Sequence, residues 1–240
     1  GNKAAADAAM ASAARIVRRR FEITRVHAQY MEPRGALGVY DPGEDRYTLY
    51  ADVQYPHRVR SALASNILKV PEHSIRVIAG DVGGGFGTKG WQYPEHRLVL
   101  WAARKLGRPV KFTATRSEAF LSDYQGRDLV TKVELALRKD GRFLAMRATN
   151  ISNVGARCVS LSPLSKGAGL ITGSYDIPAA PLRALAVYPN PMPTNAYRSS
   201  GRPEVTFAIE RLIDIAAARL GIDRVALRRK NLIKPQAMPY

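Results

Sequence analysis

Gly80-Asp81-Val82-Gly83-Gly84-Gly85-Phe86-Gly87-Thr88-Lys89-Gly90 packs six glycines into eleven residues, and its reading decides between two fold classes. It follows Ile75 to Ala79, an apolar run with strand character, and precedes Glu95 to Leu106, where Leu98 and Ala102 share one helical face. Glycines between a strand and a helix let backbone N–H groups approach an anion, and a helix N-terminus behind them favours negative charge. Thr88 directly before Lys89 excludes a Walker A loop, which needs glycine there. Gly85, Gly87 and Gly90 do spell G-x-G-x-x-G. Read that way, the chain is an NAD(P)-binding Rossmann-like dehydrogenase domain, with Arg116 or Glu118 meeting the ribose or its phosphate after the next strand. A glycine-rich tight turn without ligand is the remaining alternative.

Outward from the loop the pattern favours α+β, with mixed or antiparallel sheets and packed helices, because further β-α-β repeats are missing. Leu129 to Arg138 alternates apolar and polar residues, Lys139-Asp140-Gly141 signals a turn, and Arg142 to Ile151 returns as the second strand of a long hairpin. Strands are also expected at Phe21 to Val26, Leu37 to Tyr40, Arg46 to Val53, Val110 to Thr115 and Leu182 to Tyr188. The alanine-rich run from Lys3 to Arg19 has helix propensity, Pro56 opens a helix carrying Val59, Leu63 and Ile67, and Glu204 to Leu220 is amphipathic up to Gly221. Ser152 to Pro181 is irregular, with room for one short helix, and a short basic helix closes the chain.

The chain has 37 Lys and Arg against 20 Asp and Glu, a formal charge of +17, which favours anionic partners without choosing among them. Two basic groups, Arg15 to Arg20 and Arg224 to Lys230, sit on stretches with helical spacing and read as solvated helix faces. A non-catalytic basic binding module is thus a rival reading, but nucleic acid is not expected as the partner, since exposed aromatics do not interleave with the cations. The lone Cys158 excludes an internal disulfide and reads as a small buried residue; the cytoplasm is the expected compartment. No apolar stretch approaches a membrane span. His27, His57, His73 and His96 have no metal-ligand spacing, and Glu32 and Glu95 read as structural carboxylates near the loop.

A second motif, Asn195-Ala196-Tyr197-Arg198-Ser199-Ser200-Gly201-Arg202-Pro203-Glu204, is an extended segment running into a helix. Arg198 there has the fork of donors that suits a phosphate or a metal-bound oxygen. Together the two motifs resemble the cofactor loops of molybdenum hydroxylase large subunits: the xanthine dehydrogenase, aldehyde oxidase and carbon monoxide dehydrogenase large-chain family. Met31-Glu32-Pro33-Arg34-Gly35, Gln54-Tyr55-Pro56-His57, Gly107-Arg108-Pro109-Val110-Lys111, Asn153-Val154-Gly155-Ala156 and Arg228-Arg229-Lys230-Asn231-Leu232 extend the resemblance over essentially the whole chain.

The resemblance implies a section of the molybdopterin-binding region of a larger subunit, with possible lobes of about 1–120 and 121–240. It implies a cofactor of molybdenum on a pterin dithiolene, in the cytosine dinucleotide form, that hydroxylates substrate with oxygen from water. Electrons then pass to an iron–sulfur small subunit and an FAD medium subunit, and the remainder of the large subunit is a further partner. Carried over, Gly84, Gly85, Phe86, Gly87 and Arg198 border the cofactor, Ser199 and Ser200 face the substrate pocket, and no side chain ligates the metal. The family's general-base glutamate is expected beyond Tyr240, so the chain alone is expected to be inactive. Copper-dependent carbon monoxide oxidases of the family carry a cysteine where this chain has Ser199. Purine-oxidising members carry a glutamate at Gly90, an arginine near Gly167 and a phenylalanine at Ser200. These departures point to an aldehyde or an N-heterocycle as substrate.

Overall fold

Short-range signals account for most elements of the computed structural model, which describes residues 1–239. In chain order these are α1 (Lys3–Ser12), β1 (Arg15–Val26), β2 (Gly35–Asp41), β3 (Arg46–Ala51), α2 (Pro56–Ala62), β4 (Ile75–Ile78), α3 (Pro94–Leu106) and β5 (Val110–Thr113). There follow α4 (Arg116–Ser122), β6 (Gly126–Leu137), β7 (Phe143–Asn153), α5 (Ser162–Ala168), β8 (Leu182–Val187), α6 (Arg202–Leu220) and α7 (Arg224–Asn231). Helix ends follow their capping chemistry: Asp223 accepts from the Val225 and Ala226 amides at the start of α7, and Gly107 and Gly221 stop α3 and α6 in left-handed conformation. The fold is α+β.

The chain divides into two units whose segments interleave. One, here the hairpin unit, comprises 1–26, 126–195 and the chain from Ser199 on; the other, the loop unit, comprises 27–125 and 196–198. In the hairpin unit the sheet order is β1-β6-β7-β8, antiparallel except for the parallel β7–β8 pair. Alternation sends Val133, Leu135 and Leu137 to one face, where they pack with Val17, Phe143 and Met146 against Val205, Ile209, Leu212 and Ile213 of α6. The opposite face is covered at one end by α1, through Ala6 and Met10 against Ala136, Ala145 and Ala179.

In the loop unit the sheet order is β4-β3-β2-β5, with β4 parallel to β3 and the other pairs antiparallel. Leu49, Tyr47 and Ala36 pack there with Val59 of α2, with Leu63 just after it, and with Val99 and Leu100 of α3. Helix α3 approaches β2 so closely that a Cβ on Gly38 would lie 2.6 Å from the Val99 carbonyl, so only glycine fits.

Several expectations are corrected. The helical run predicted to Arg19 ends at Ser12, and the basic group Arg15 to Arg20 lies on β1, not on a helix. Pairing with β6, from Arg15↔Leu137 to Val26↔Gly126, overrides the weak local propensity of a stretch already containing Ile16 and Val17. The helix from Pro56 widens into a π-type turn at Leu63–Leu68 that Lys69 ends at φ 57°. Arg116 and Glu118 lie on α4, where Glu118 closes a capping box with Thr115. Cys158 is exposed, not buried. The Rossmann reading fails on topology: β4, before the glycine loop, and β5, after α3, stand at opposite edges of their sheet instead of side by side.

Candidate cofactor site

The glycine loop is shaped by residues drawn from far along the loop unit. Glu32 takes the Gly83 amide on Oε2 at 2.7 Å and gives its own amide to the Gly83 carbonyl at 3.2 Å. Gln54 takes the Gly87 amide on Oε1 at 2.7 Å and donates its backbone N–H to the Lys89 carbonyl at 3.0 Å. Thr88 folds the loop back on itself, both its amide and its hydroxyl donating to the Gly85 carbonyl, at 2.9 and 2.8 Å. Below it Lys89, 1% exposed, donates to the Glu32 carbonyl at 2.8 Å, pairs with Glu32 Oε2 at 3.2 Å and with Asp52, and sits 4.2 Å from the centre of the Tyr30 ring. Burial pushes the Asp52 carboxyl above the usual range, and the Lys89 ammonium opposes that shift.

A second buried layer anchors this one. Asp123, fully buried, receives the Tyr30 hydroxyl, His27 Nε2 at 2.9 Å and the Arg34 guanidinium at 2.8 Å. Arg34 also pairs with Glu95 at 2.8 Å and lies 4.0 Å over the Tyr93 ring. The Tyr93 hydroxyl donates to the Thr88 carbonyl at 3.2 Å, which ties this layer to the loop. Burial raises the Tyr30 and Tyr93 hydroxyls and lowers His96 to about 4, so His96 is a neutral ring beside Tyr93. Glu32 thus holds the loop through the Gly83 amide and Glu95 pairs with Arg34, and among the described residues no cluster of three His, Cys, Asp or Glu is placed to hold an ion.

What this scaffold presents is backbone. Gly84, Phe86 and Gly87 have φ of 97°, 50° and 102°, and among the described residues the N–H groups of Gly84, Gly85 and Phe86 donate to no protein acceptor. The Phe86 ring is 47% exposed. The segment 196–198 lies against this loop: Arg198 N–H donates to the Phe86 carbonyl at 2.9 Å, and a Cβ on Gly87 would come within 2.7 Å of the Ala196 carbonyl oxygen. Arg198, Ser199, Ser200 and Gly201 then run through consecutive positive φ, at 25°, 69°, 33° and 85°. Three non-glycine residues in that region store on the order of 1–3 kcal/mol each, and such runs concentrate where a ligand is held. A row of amides without a protein acceptor on a glycine cradle fits a cofactor that offers anionic acceptor atoms.

The sequence-predicted residues divide accordingly. Gly84, Gly85, Phe86, Gly87 and Arg198 are brought together in the loop unit, with Arg198 exposed. Ser199 and Ser200 belong to the hairpin unit; Ser199 is exposed, and Ser200 is buried with its Oγ donating to Ser162 Oγ at 3.0 Å. Gly167 packs against that same turn, where a Cβ would meet the Gly201 carbonyl oxygen at 2.8 Å. The helix expected after the glycine loop is α3, which begins at Pro94 and is separated from the loop by a tight turn at Thr88–Gly90. Sequence reading did not find the parts played by Gln54, Asp52 and Lys89. Gln54 and Lys89 fall in stretches that carry the resemblance, and Asp52 has no such signal.

No helix among the described residues is long and apolar enough to cross a membrane. A family model described as molybdopterin cofactor-binding domain matches residues 1–232. The chain is 37% identical, over 98% of its length, to the 6-hydroxypseudooxynicotine dehydrogenase complex subunit gamma of Paenarthrobacter nicotinovorans. It is 38% identical over its full length to the carbon monoxide dehydrogenase large chain of Afipia carboxidovorans. The structure of quinoline 2-oxidoreductase from Pseudomonas putida 86 superposes with a TM-score of 0.92 over 97% of the chain at 37% identity. The chain spans 30% of the length of each of these relatives. On the strength of the family match and these relatives, the chain belongs to the molybdopterin cofactor-binding domain family.

Proposed function

We propose that this chain forms one wall of the cofactor pocket in the large subunit of a molybdenum hydroxylase, acting on an aldehyde or an N-heterocycle. The observation that carries this reading is the row of amides at Gly84, Gly85 and Phe86 that no protein acceptor takes, on a loop that segment 196–198 holds through the Arg198 N–H to the Phe86 carbonyl. When bound, the cofactor, in its cytosine dinucleotide form, supplies a two-electron oxidation with water as oxygen source, and iron–sulfur and FAD partner subunits carry the electrons away. The loop amides would donate to acceptor atoms of that group, Glu32 and Gln54 fix the loop on either side of those amides through Gly83 and Gly87, and the Phe86 side chain would screen the pocket from water. Arg198 adds fixed positive charge, and Ser199 and Ser200 border the substrate.

Ser199 offers no thiolate, so a copper-dependent chemistry is not part of the proposal. Gly90 and Gly167 present no side chain where purine-oxidising members of the family carry a glutamate and an arginine, and Gly167 has no room for one. The catalytic base comes from the rest of the subunit, and we assign the enzyme to the cytoplasm, with these 240 residues inactive alone.

The test is molybdenum and pterin content of the full-length subunit carrying Gly87→Val or Arg198→Ala. Gly87→Val places a branched side chain at positive φ against the Ala196 carbonyl, and molybdenum occupancy should fall several-fold while circular dichroism holds. Arg198→Ala should lower occupancy or turnover. Normal occupancy and rate in both, or nicotinamide nucleotide in place of molybdenum, would overturn the reading.

A further inference from the structure

The outer face of the hairpin-unit sheet carries cations in register. Arg20 stands opposite Lys132, Lys132 opposite Thr149, and Thr149 opposite Arg183, so one row crosses all four strands. Two residues along, Arg18 faces Glu134 and Glu134 faces Arg147. Helix α1 covers one end of this face at Ala136 and Ala145, and its Lys3 and Asp7 reach the edge of these rows. The uncovered part is a groove of about 910 Å³, in which Lys3, Arg18, Arg20, Lys132, Arg147 and Arg183 surround the single carboxylate of Glu134.

Internal pairing does not neutralise it. Glu134 is shared by Arg18 at 2.5 Å and Arg147 at 2.7 Å, Asp7 by Lys3 at 2.7 Å and Arg147 at 2.8 Å, and Arg20 turns to Glu22. Lys132 and Arg183 have no acidic partner among the described residues. Like charges directly opposite across strands destabilise a sheet, so the Arg20–Lys132 pair is a standing cost that an external anion removes.

We propose that this groove docks an acidic, extended polypeptide segment of a partner subunit; assigning the occupant to a subunit rests on the function proposed above. The row spans roughly 14 Å at ~4.8 Å per strand, and an extended peptide places same-side carboxylates every ~6.7 Å, so two or three acidic residues match it. No aromatic side chain lines the groove to stack a base, and Glu134 at its centre repels a continuous phosphate backbone, which favours polypeptide over nucleic acid.

The experiment is fluorescence anisotropy of a labelled alternating Glu-Ala peptide with the full-length subunit, at low and physiological salt. Lys132→Gln with Arg183→Gln should weaken binding about tenfold and flatten its salt dependence. Arg219→Gln with Arg229→Gln, which removes equal charge from exposed helical positions, should change it less than about twofold. Equal loss in both double variants would overturn the proposal, as would a poly-dT oligonucleotide that displaces the peptide and loses affinity with Lys132 and Arg183. Molybdenum content of the same variants should be normal, so failure here is separable from failure of the cofactor assignment. Melting temperature should hold or rise, since a repulsive pair is relieved.

Discussion

Replacing Lys89 with methionine tests whether the glycine loop is held from beneath by a buried charge. Methionine keeps much of the volume and removes the ammonium, leaving the nearly buried Asp52 with only the Gly35 amide, 3.1 Å away. Removing one partner of a buried pair costs about 3–5 kcal/mol. The loss is pH-dependent with a definite sign. Burial already makes the Asp52 carboxyl in the folded state hold its proton more tightly than in the unfolded chain, so its contribution favours folding at low pH and is lost as pH rises through the folded value. Without Lys89 the shift grows, and the deficit should be smaller at acidic than at neutral pH. Urea unfolding followed by tryptophan fluorescence reads this directly, because both tryptophans, Trp91 and Trp101, lie in the loop unit. Adding Asp52→Asn to Lys89→Met should recover about half the loss or more. A deficit under ~1 kcal/mol, the same deficit at pH 5 and pH 8, or strict additivity of the two substitutions would refute the argument.

Other substitutions probe the deeper layer. Asp123→Asn leaves Arg34 facing Glu95 alone and should destabilise the loop unit by about 3–5 kcal/mol in the same assay. His96, neutral in the fold with its value near 4 against 6.5 when unfolded, contributes about 3 kcal/mol above pH 6.5 that disappears as pH falls to 4. His96→Asn should accordingly flatten the acid limb of the stability profile, and an unchanged limb would assign that limb to other groups. Gly87→Ala, milder than the valine variant, should still lower molybdenum occupancy, since any Cβ meets the Ala196 carbonyl.

Local rules made the β6–β7 hairpin readable, because alternation and Lys139-Asp140-Gly141 are near-neighbour signals. The same was true of α3 and α6, whose stops are glycines. What escaped was non-local. The strand identity of Arg15 to Arg20 comes from a partner more than a hundred residues away, and an alanine-rich approach conceals it. The loop clamp joins Glu32, Asp52, Gln54 and Lys89, and no spacing rule connects four such positions. Helix α4 carries a local signal of its own, the capping-box spacing of Thr115 and Glu118.

The interleaving of the two units has a consequence for the order of assembly. Strand β1 leaves the ribosome before its neighbour in the sheet, β6, which follows about a hundred residues later. Closing a loop of that length in an open chain costs about 4 kcal/mol in entropy. The intervening stretch, however, is nearly all of the loop unit, and when it folds first the His27–Asp123 contact brings the end of β1 and the start of β6 side by side. The buried aspartate would then act during synthesis as a clasp on the two ends of the loop unit.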